Sequence, residues 1–295
     1  QAIRDVSKVR NSLRKLSEAS MTFGSVFGRT FSPTFQPSSQ AAVSSSAWSP
    51  TDITGCKLWF DFSDADTLFT DAGSTKVSSD GDAIYQVNDK SGSSNHFVQA
   101  DSNKRPLYKT NILNSLSACL FDGSNDCLTK TNDWTDYDKA TLFIAYTSSA
   151  SATKVFFEHG NTGGGGGYGQ WSEYHNSDRK VISIISGTGG TQYSFYTSTA
   201  AITTKGILSV TFNIALASNE IVSYINGSGG GSYGNNNNPT GTLGNFRTNL
   251  GARNDGASFP FSGYMYEVVL YLGSVLDSTN LGIVNTYLNN KWSIY

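Results

Sequence analysis

Charge is scarce in this 295-residue chain: Asp, Glu, Lys and Arg make up 15% of it and nearly cancel, to a net −2. No cluster of Lys and Arg is available to neutralise a phosphate backbone, which excludes nucleic acid as a partner. Apolar runs of about 18 residues or more are missing, so no segment is expected to span a membrane. The first residues lack the apolar centre of a signal peptide, and a start at Gln1 rather than Met is read as the loss of something upstream. Cysteine is limited to Cys56, Cys119 and Cys127, an odd number without C-x-x-C spacing. That points away from a disulfide framework and towards small buried hydrophobes kept reduced. His96, His159 and His175 lie far apart with no H-x-x-x-H or H-E-x-x-H spacing, so they are expected at strand ends or facing solvent rather than on zinc. No G-x-S-x-G elbow is present to activate any of the many serines.

What is abundant is Gly, Ser, Thr and Asn, together with aromatics at 13%, a composition of strands and turns. "CKLWFDF" alternates Leu58, Phe60 and Phe62 on one face. Further strand-like runs cover 141–146, 154–159, 180–186, 192–197, 207–213, 220–225 and 264–272, each bounded by Gly, Asn, Ser or Asp. With no amphipathic helices interleaved, this predicts an all-β antiparallel sandwich over residues 48–295. Asn226-Gly227 follows a strand directly and fits a tight hairpin. Near the C-terminus, Asp277 can cap one helix in which Leu281, Val284 and Leu288 share a face, with Leu276 and Leu281 as its hydrophobic staple.

The first 47 residues are different. Val6, Val9, Leu13 and Leu16 fall at the a and d positions of a short heptad pattern over residues 1–20, with Arg and Lys on the other faces. Two heptads are unstable alone. They read as an oligomerising or docking stem, as a helix lying on its own domain, or as a basic membrane-surface helix. Over residues 21–47, Phe23, Phe27, Phe31 and Phe35 recur every four residues, but Gly24, Gly28, Pro33 and Pro37 break any helix. Aromatics that cannot build their own core need a partner to bury them, so this segment is read as an extended arm and Ser/Ala linker.

"ITGCKLWFDFSDADT", "VNDKSGSSNHFVQADSNKRPLY", "LFDGSNDCLT", "SGYMYEVVLY" and "NTYLNNKWSIY", in this order over residues 53–295, resemble the concanavalin A-like, laminin-G-like jelly-roll domains of tailed-bacteriophage virion proteins and bacterial surface proteins. Two positions depart from that pattern: Asn88 stands where a Trp usually precedes the Asp-Lys-Ser-Gly turn, and Asn114-Ser115 where Asn-Gly is usual. The resemblance implies a jelly roll used for binding or display, without naming a ligand.

Sandwiches of this kind include glycosidases, which present two carboxylates from one strand as Glu-x-Asp-x-x-Glu. Glu18, Glu158, Glu173, Glu220 and Glu267 are the chain's glutamates, and none heads that motif, so no enzyme is expected. Calcium is the one cofactor with candidate ligands: Asp61, Asp64 and Asp66 after the first strand, or Asp122 and Asp126 in the "FDGSND" turn. Turn aspartates equally serve Asx hydrogen bonds to their own backbone. The loop at 160–178 brings Tyr168, Trp171 and Tyr174 beside five glycines, and these rings could stack on sugars, although Trp171 also fits a core position by strand alternation. A second polar loop, 225–241, offers Tyr233, Asn235 and Asn236. In the stretch 88–108, Asp89 and Lys90 are read as solvated turn charges, which makes it a fold signature rather than a catalytic loop.

These readings combine into one expectation: a virion structural protein whose residues 1–47 contact other virion proteins or make it a homo-oligomer, and whose jelly roll displays loops towards host-surface polysaccharide. The alternatives are a purely structural decoration and a secreted or cell-surface bacterial carbohydrate-binding module.

Overall fold

The computed structural model describes residues 48–148, 152–160, 170–188, 194–202, 204–229, 231–236 and 239–295, with the backbone alone at 194–195, 199–200 and 231–236. The stem and arm positions Val6, Val9, Leu13, Leu16, Phe23, Phe27, Phe31 and Phe35 lie outside the described residues. Residues 47–295 form one compact unit. In chain order its strands are β1 (Cys56–Asp61), β2 (Leu68–Phe69), β3 (Gln86–Val87), β4 (Phe97–Val98), β5 (Leu107–Leu113) and β6 (Leu116–Asp122). There follow β7 (Leu128–Asp133), β8 (Lys139–Ser148), β9 (Lys154–His159), β10 (Trp171–His175), β11 (Lys180–Ile185) and β12 (Ser194–Ala201). The last six are β13 (Lys205–Asn213), β14 (Ile221–Ile225), β15 (Ser228–Gly229), β16 (Gly231–Asn236), β17 (Asn245–Leu250) and β18 (Ser262–Leu272), before a single described helix, α1 (Ser278–Trp292).

Among the described residues, the strands make two antiparallel sheets. One runs β15-β14-β13-β8-β18-β6-β5, with β1 also paired to β18; the other runs β16-β12-β11-β10-β9-β17-β7-β4-β3-β2. The fold is therefore an antiparallel β-sandwich of the jelly-roll class. Leu58, Phe60 and Phe62 do point inward together, into a core shared by Leu142, Ile144, Phe157, Trp171, Val210, Val268 and Leu270 between the sheets. The expected hairpin forms at Asn226 (φ 53) and Gly227 (φ 73), the positive-φ pair that matches strand twist. Helix α1 is capped by Asp277, whose Oδ1 accepts from Asn280 N at 2.8 Å. Val284, Leu288 and Trp292 bury against Phe143, Tyr266, Val269 and Tyr271 on the outer face of the first sheet.

A register shift in β18 between Met265 and Glu267 sets up the joint between sheet and helix. Met265 and Val268 face the inter-sheet core, so both intervening side chains, Tyr266 and Glu267, emerge on the helix side. Glu267 is fully buried there. Its Oε1 accepts from Trp59 Nε1 (2.7 Å) and Tyr287 Oη (2.8 Å), and its Oε2 from Lys291 Nζ (2.8 Å) and Trp292 Nε1 (2.9 Å). Lys291 also pairs with Asp61 at 2.7 Å, and Lys90 bridges Asp61 (3.1 Å) and Asp64 (2.7 Å). Asp89, 8% exposed, accepts from the backbone N–H groups of Trp59, Ser91 and Asn95.

The expectation that Asp89 and Lys90 are solvated is thus corrected. Their charges tie the turn at 89–95 to β1, and through Asp61 and Lys291 to α1. The "DFSDAD", "DKSG", "MYEVV" and "NNKW" segments, scattered over 230 positions of sequence (61–291), are the parts of one polar joint.

Candidate functional site

The candidate site is a groove on the outer face of the second sheet, where β9, β10 and β11 lie side by side. Trp171 turns inward, so cross-strand pairing places Ser172 opposite Glu158 and Tyr174 opposite Val155 on the outer face. Tyr174, Val155 and Ile184 make a small apolar cluster there, with Ile182 packed against it. Without a second sheet over it, this floor is capped by the chain connecting β17 to β18. That connection leaves β17 through Gly251, which adopts φ +89 and whose absent Cβ would overlap the Phe121 ring. It closes on itself by an Arg253–Ser258 bridge and is pinned to β9 by Val155 N donating to Phe259 O at 2.9 Å.

The result is a groove of about 410 Å³, within the range of small-ligand sites. Val155, Ile182 and Tyr174 form its floor, Phe259 and Arg253 one wall, and Thr153 and Asn176 its polar rim. Phe259 is 44% exposed and sits at φ +50, a left-handed conformation costly for a bulky side chain. The Arg253 guanidinium lies 5.3 Å from the Phe259 ring centroid, in cation–π range. Its Nε donates to Glu158 Oε2 at 2.5 Å, and Ser172 Oγ donates to the same oxygen at 3.1 Å. Asn176 Oδ1 accepts from the N–H groups of Asp178 and Lys180, both at 3.0 Å, which leaves its Nδ2 as the amide donor on the rim. Aromatic faces beside an amide and a hydroxyl suit a ligand with apolar C–H faces and many hydroxyls.

Among the described residues, Tyr174 is the one expected ligand-binding residue that lines this groove. Trp171 is a core residue: it is fully buried against Phe157 and Phe212, with Nε1 donating to Glu173 at 2.6 Å. Tyr168 lies outside the described residues. The second loop is in part a strand, because Tyr233, Asn235 and Asn236 fall in β16, hydrogen-bonded along β12. Arg253 and Phe259 were not legible as site residues. The one local signal is an aromatic followed by Pro at the end of the turn-rich "GARNDGASF".

The acidic candidates have partners. Lys90 and Lys291 face Asp61, and although burial pushes its pKa upward, those two ammonium groups hold it below the usual carboxylate range. Asp64 shares Lys90 with it, and Asp66 pairs with Lys76 at 2.8 Å. Asp122 Oδ1 accepts from Ser124 N (2.7 Å), and Asp126 Oδ2 from Asp122 N (2.8 Å), which are turn-closing bonds. Burial, with Asp122 nearby, raises the Asp126 pKa to about 6. Among the described residues, no three His, Cys, Asp or Glu side chains gather at metal-binding distances.

Two of the histidines stand at strand ends as expected, His159 closing β9 and His175 closing β10. His159 and His175 are fully buried rather than solvent-facing. Trp134 stacks on the His159 ring at 4.3 Å, Nδ1 pairs with Thr248 Oγ1 at 2.9 Å, and Nε2 with Gly244 O at 3.0 Å. Burial drives its pKa down to about 4, so the ring is neutral. The three cysteines are free, with Cys119 and Cys127 buried. A larger, shallower groove of about 720 Å³ runs along α1 past Trp48 and Ile283, and the Tyr287 and Lys291 side chains in its lining are already engaged with Glu267 and Asp61 of the polar joint.

No protein-family model and no curated protein matches the chain. Solved structures do. The receptor-binding domain of botulinum neurotoxin mosaic serotype C/D superposes with a TM-score of 0.53 at 12% identity, covering 81% of this chain and 52% of that one. The botulinum neurotoxin serotype D binding domain gives 0.53 at 11% identity, covering 79% and 51%. The chain therefore spans about half the length of those toxin domains, and at such identity the likeness is one of fold. The CBM40 of Ruminococcus gnavus IT-sialidase, bound to α2,3-sialyllactose, superposes more loosely, at 0.39 with 16% identity over 50% of this chain and 82% of that one.

Proposed function

We propose that the protein is a non-enzymatic binding and display module, a phage virion component in which residues 1–47 dock or oligomerise the chain and the jelly roll holds host-surface glycan. The observation that carries the glycan reading is the groove walled by Phe259, an exposed aromatic held at positive φ beside the Tyr174 floor and the Asn176 and Thr153 rim. Backbone strain recurs at ligand clamps and active sites, which supports a contact role for this ring. Glycan hydrolysis is disfavoured because among the described residues no carboxylate lines the groove, whereas that chemistry needs two flanking the scissile bond. Weak binding at one groove becomes useful when copies are repeated, since avidity multiplies modest affinities.

The experiment is adsorption of full-length protein to a panel of polymer-displayed glycans, wild type against Phe259→Ala. A drop of about tenfold or more with an unchanged melting temperature supports the reading. Equal retention of both proteins removes this groove from it. The apolar α1 surface, where Ile283 is 39% exposed, favours a second reading: a structural decoration whose sandwich touches only neighbouring subunits. Light scattering on the full chain bears on assembly, because a stem of this kind predicts an oligomer, and a monomer would require a different partner for residues 1–47.

A further inference from the structure

Resting on the glycan reading, we propose that the groove selects neutral sugars and discriminates against sugars that carry a carboxylate. Among the described residues that line the groove, the one charged side chain is Arg253. Alone, a guanidinium beside an aromatic wall would be the natural partner of an acidic sugar, since its planar fork matches a carboxylate. It is not alone. Its Nε lies 2.5 Å from Glu158 Oε2, with the two side chains 8% and 0% exposed. An ion pair so shielded from water has no net charge to offer, and a ligand carboxylate brought to the guanidinium would also meet the field of the Glu158 carboxylate.

Among the described residues, three further cations lie near the groove without lining it: Lys180, two positions from Ile182 on β11, and two whose donors hold backbone carbonyls. Lys154, on β9, donates to Gly123 O at 3.2 Å. Arg179, in the turn between β10 and β11, donates to Ser148 O at 2.9 Å. What the groove presents to a ligand is the Phe259 ring, the apolar floor, the Asn176 amide and the Thr153 hydroxyl. Arg253 and Glu158 serve to hold the wall in place, the guanidinium lying against the ring it supports. Specificity of this kind arises from what the site rejects as much as from what it attracts.

The test uses matched pairs of polymer-displayed glycans that differ by an acidic sugar: lactose against sialyllactose, and an N-acetylglucosamine tetramer against a hyaluronan tetrasaccharide. Full-length protein is assayed at low and high sodium chloride. The expected result is retention of the neutral member of at least one pair about tenfold above its acidic partner, with little change on adding salt. Binding of acidic members as tight or tighter, weakening with salt, would overturn the inference and leave the glycan reading standing. Absence of binding to every glycan would bring down both. Glu158→Gln gives an independent arm: with the compensating charge removed, the acid-to-neutral binding ratio should rise about fivefold or more. A folded E158Q protein with an unaltered acid-to-neutral ratio would count against the inference. Should that variant fail to fold, the wild-type pairs still decide.

Discussion

Glu173 provides the sharpest test of the interior. It is fully buried between the sheets, where Trp171 Nε1 and the Ser183 hydroxyl are its partners and, among the described residues, no cation stands beside it. Burial raises its pKa from 4.5 to about 8, against the smaller opposing pull of those two hydrogen bonds. Below pH 4.5 the acid is neutral whether the chain is folded or not. Between 4.5 and 8 the unfolded chain gives up its proton and the folded one keeps it, so stability falls as pH rises across that window. At about 1.36 kcal/mol per unit, the 3.5-unit gap amounts to roughly 5 kcal/mol. Glu173→Gln mimics the neutral acid, its carbonyl accepting from Trp171 and its amide donating to Ser183. The variant should match wild type near pH 5 and exceed it by several kcal/mol at about pH 8.5. Urea midpoints of both full-length proteins, followed by tryptophan fluorescence across that range, measure the difference. Parallel pH curves for the two would refute the assignment of a buried neutral acid at this position.

Other expectations follow from the same packing. His159, neutral with its pKa lowered to about 4, contributes stability that is complete above its ordinary value of 6.5 and is lost as pH falls from there towards 4, on the order of 3 kcal/mol. Denaturation of His159→Gln should show a flatter acid limb than wild type. Glu267→Ala leaves Trp59, Tyr287 and Trp292 donors and the Lys291 ammonium short of an acceptor. It should cost about 3–5 kcal/mol, read as a lower urea midpoint. Trp171→Ala should cost a similar 3–5 kcal/mol through the cavity it opens, so any loss of ligand binding in that variant would track unfolding. Calcium should leave the melting temperature unchanged, because Asp61 and Asp64 already face Lys90 and Lys291. A rise of several degrees would show a cation site that these pairings do not predict.

Much of the sandwich is legible in the chain because its strands are local patterns. Alternation at Leu58, Phe60 and Phe62, the Asn226-Gly227 turn and the Asp277 cap each contain their own reason. The polar joint is illegible for the opposite cause. Lys90 looks like a solvated turn charge until β1 and α1 bring Asp61 and Lys291 beside it, and no local rule specifies that meeting. The groove suffers the same way, since Arg253 and Glu158 are 95 residues apart. Tyr174 is legible as a candidate because an aromatic beside a glycine-rich loop is visible. Phe259 was missed because the turn residues around it conceal the ring they project.

The pairing of β1 with β18 also governs the order in which the molecule can be built. Trp59 meets Glu267 across 208 positions of chain. On a ribosome, Leu58, Phe60 and Phe62 would emerge long before the strand that covers them. Closure of the sandwich waits for that late strand, and the Glu267 joint waits further for α1. Such long-range pairing makes folding slow and leaves an adhesive edge open in the interval. The nascent chain is thus a natural client for chaperones, and a ribosome stalled before residue 262 would hold a body with its first strand unpaired.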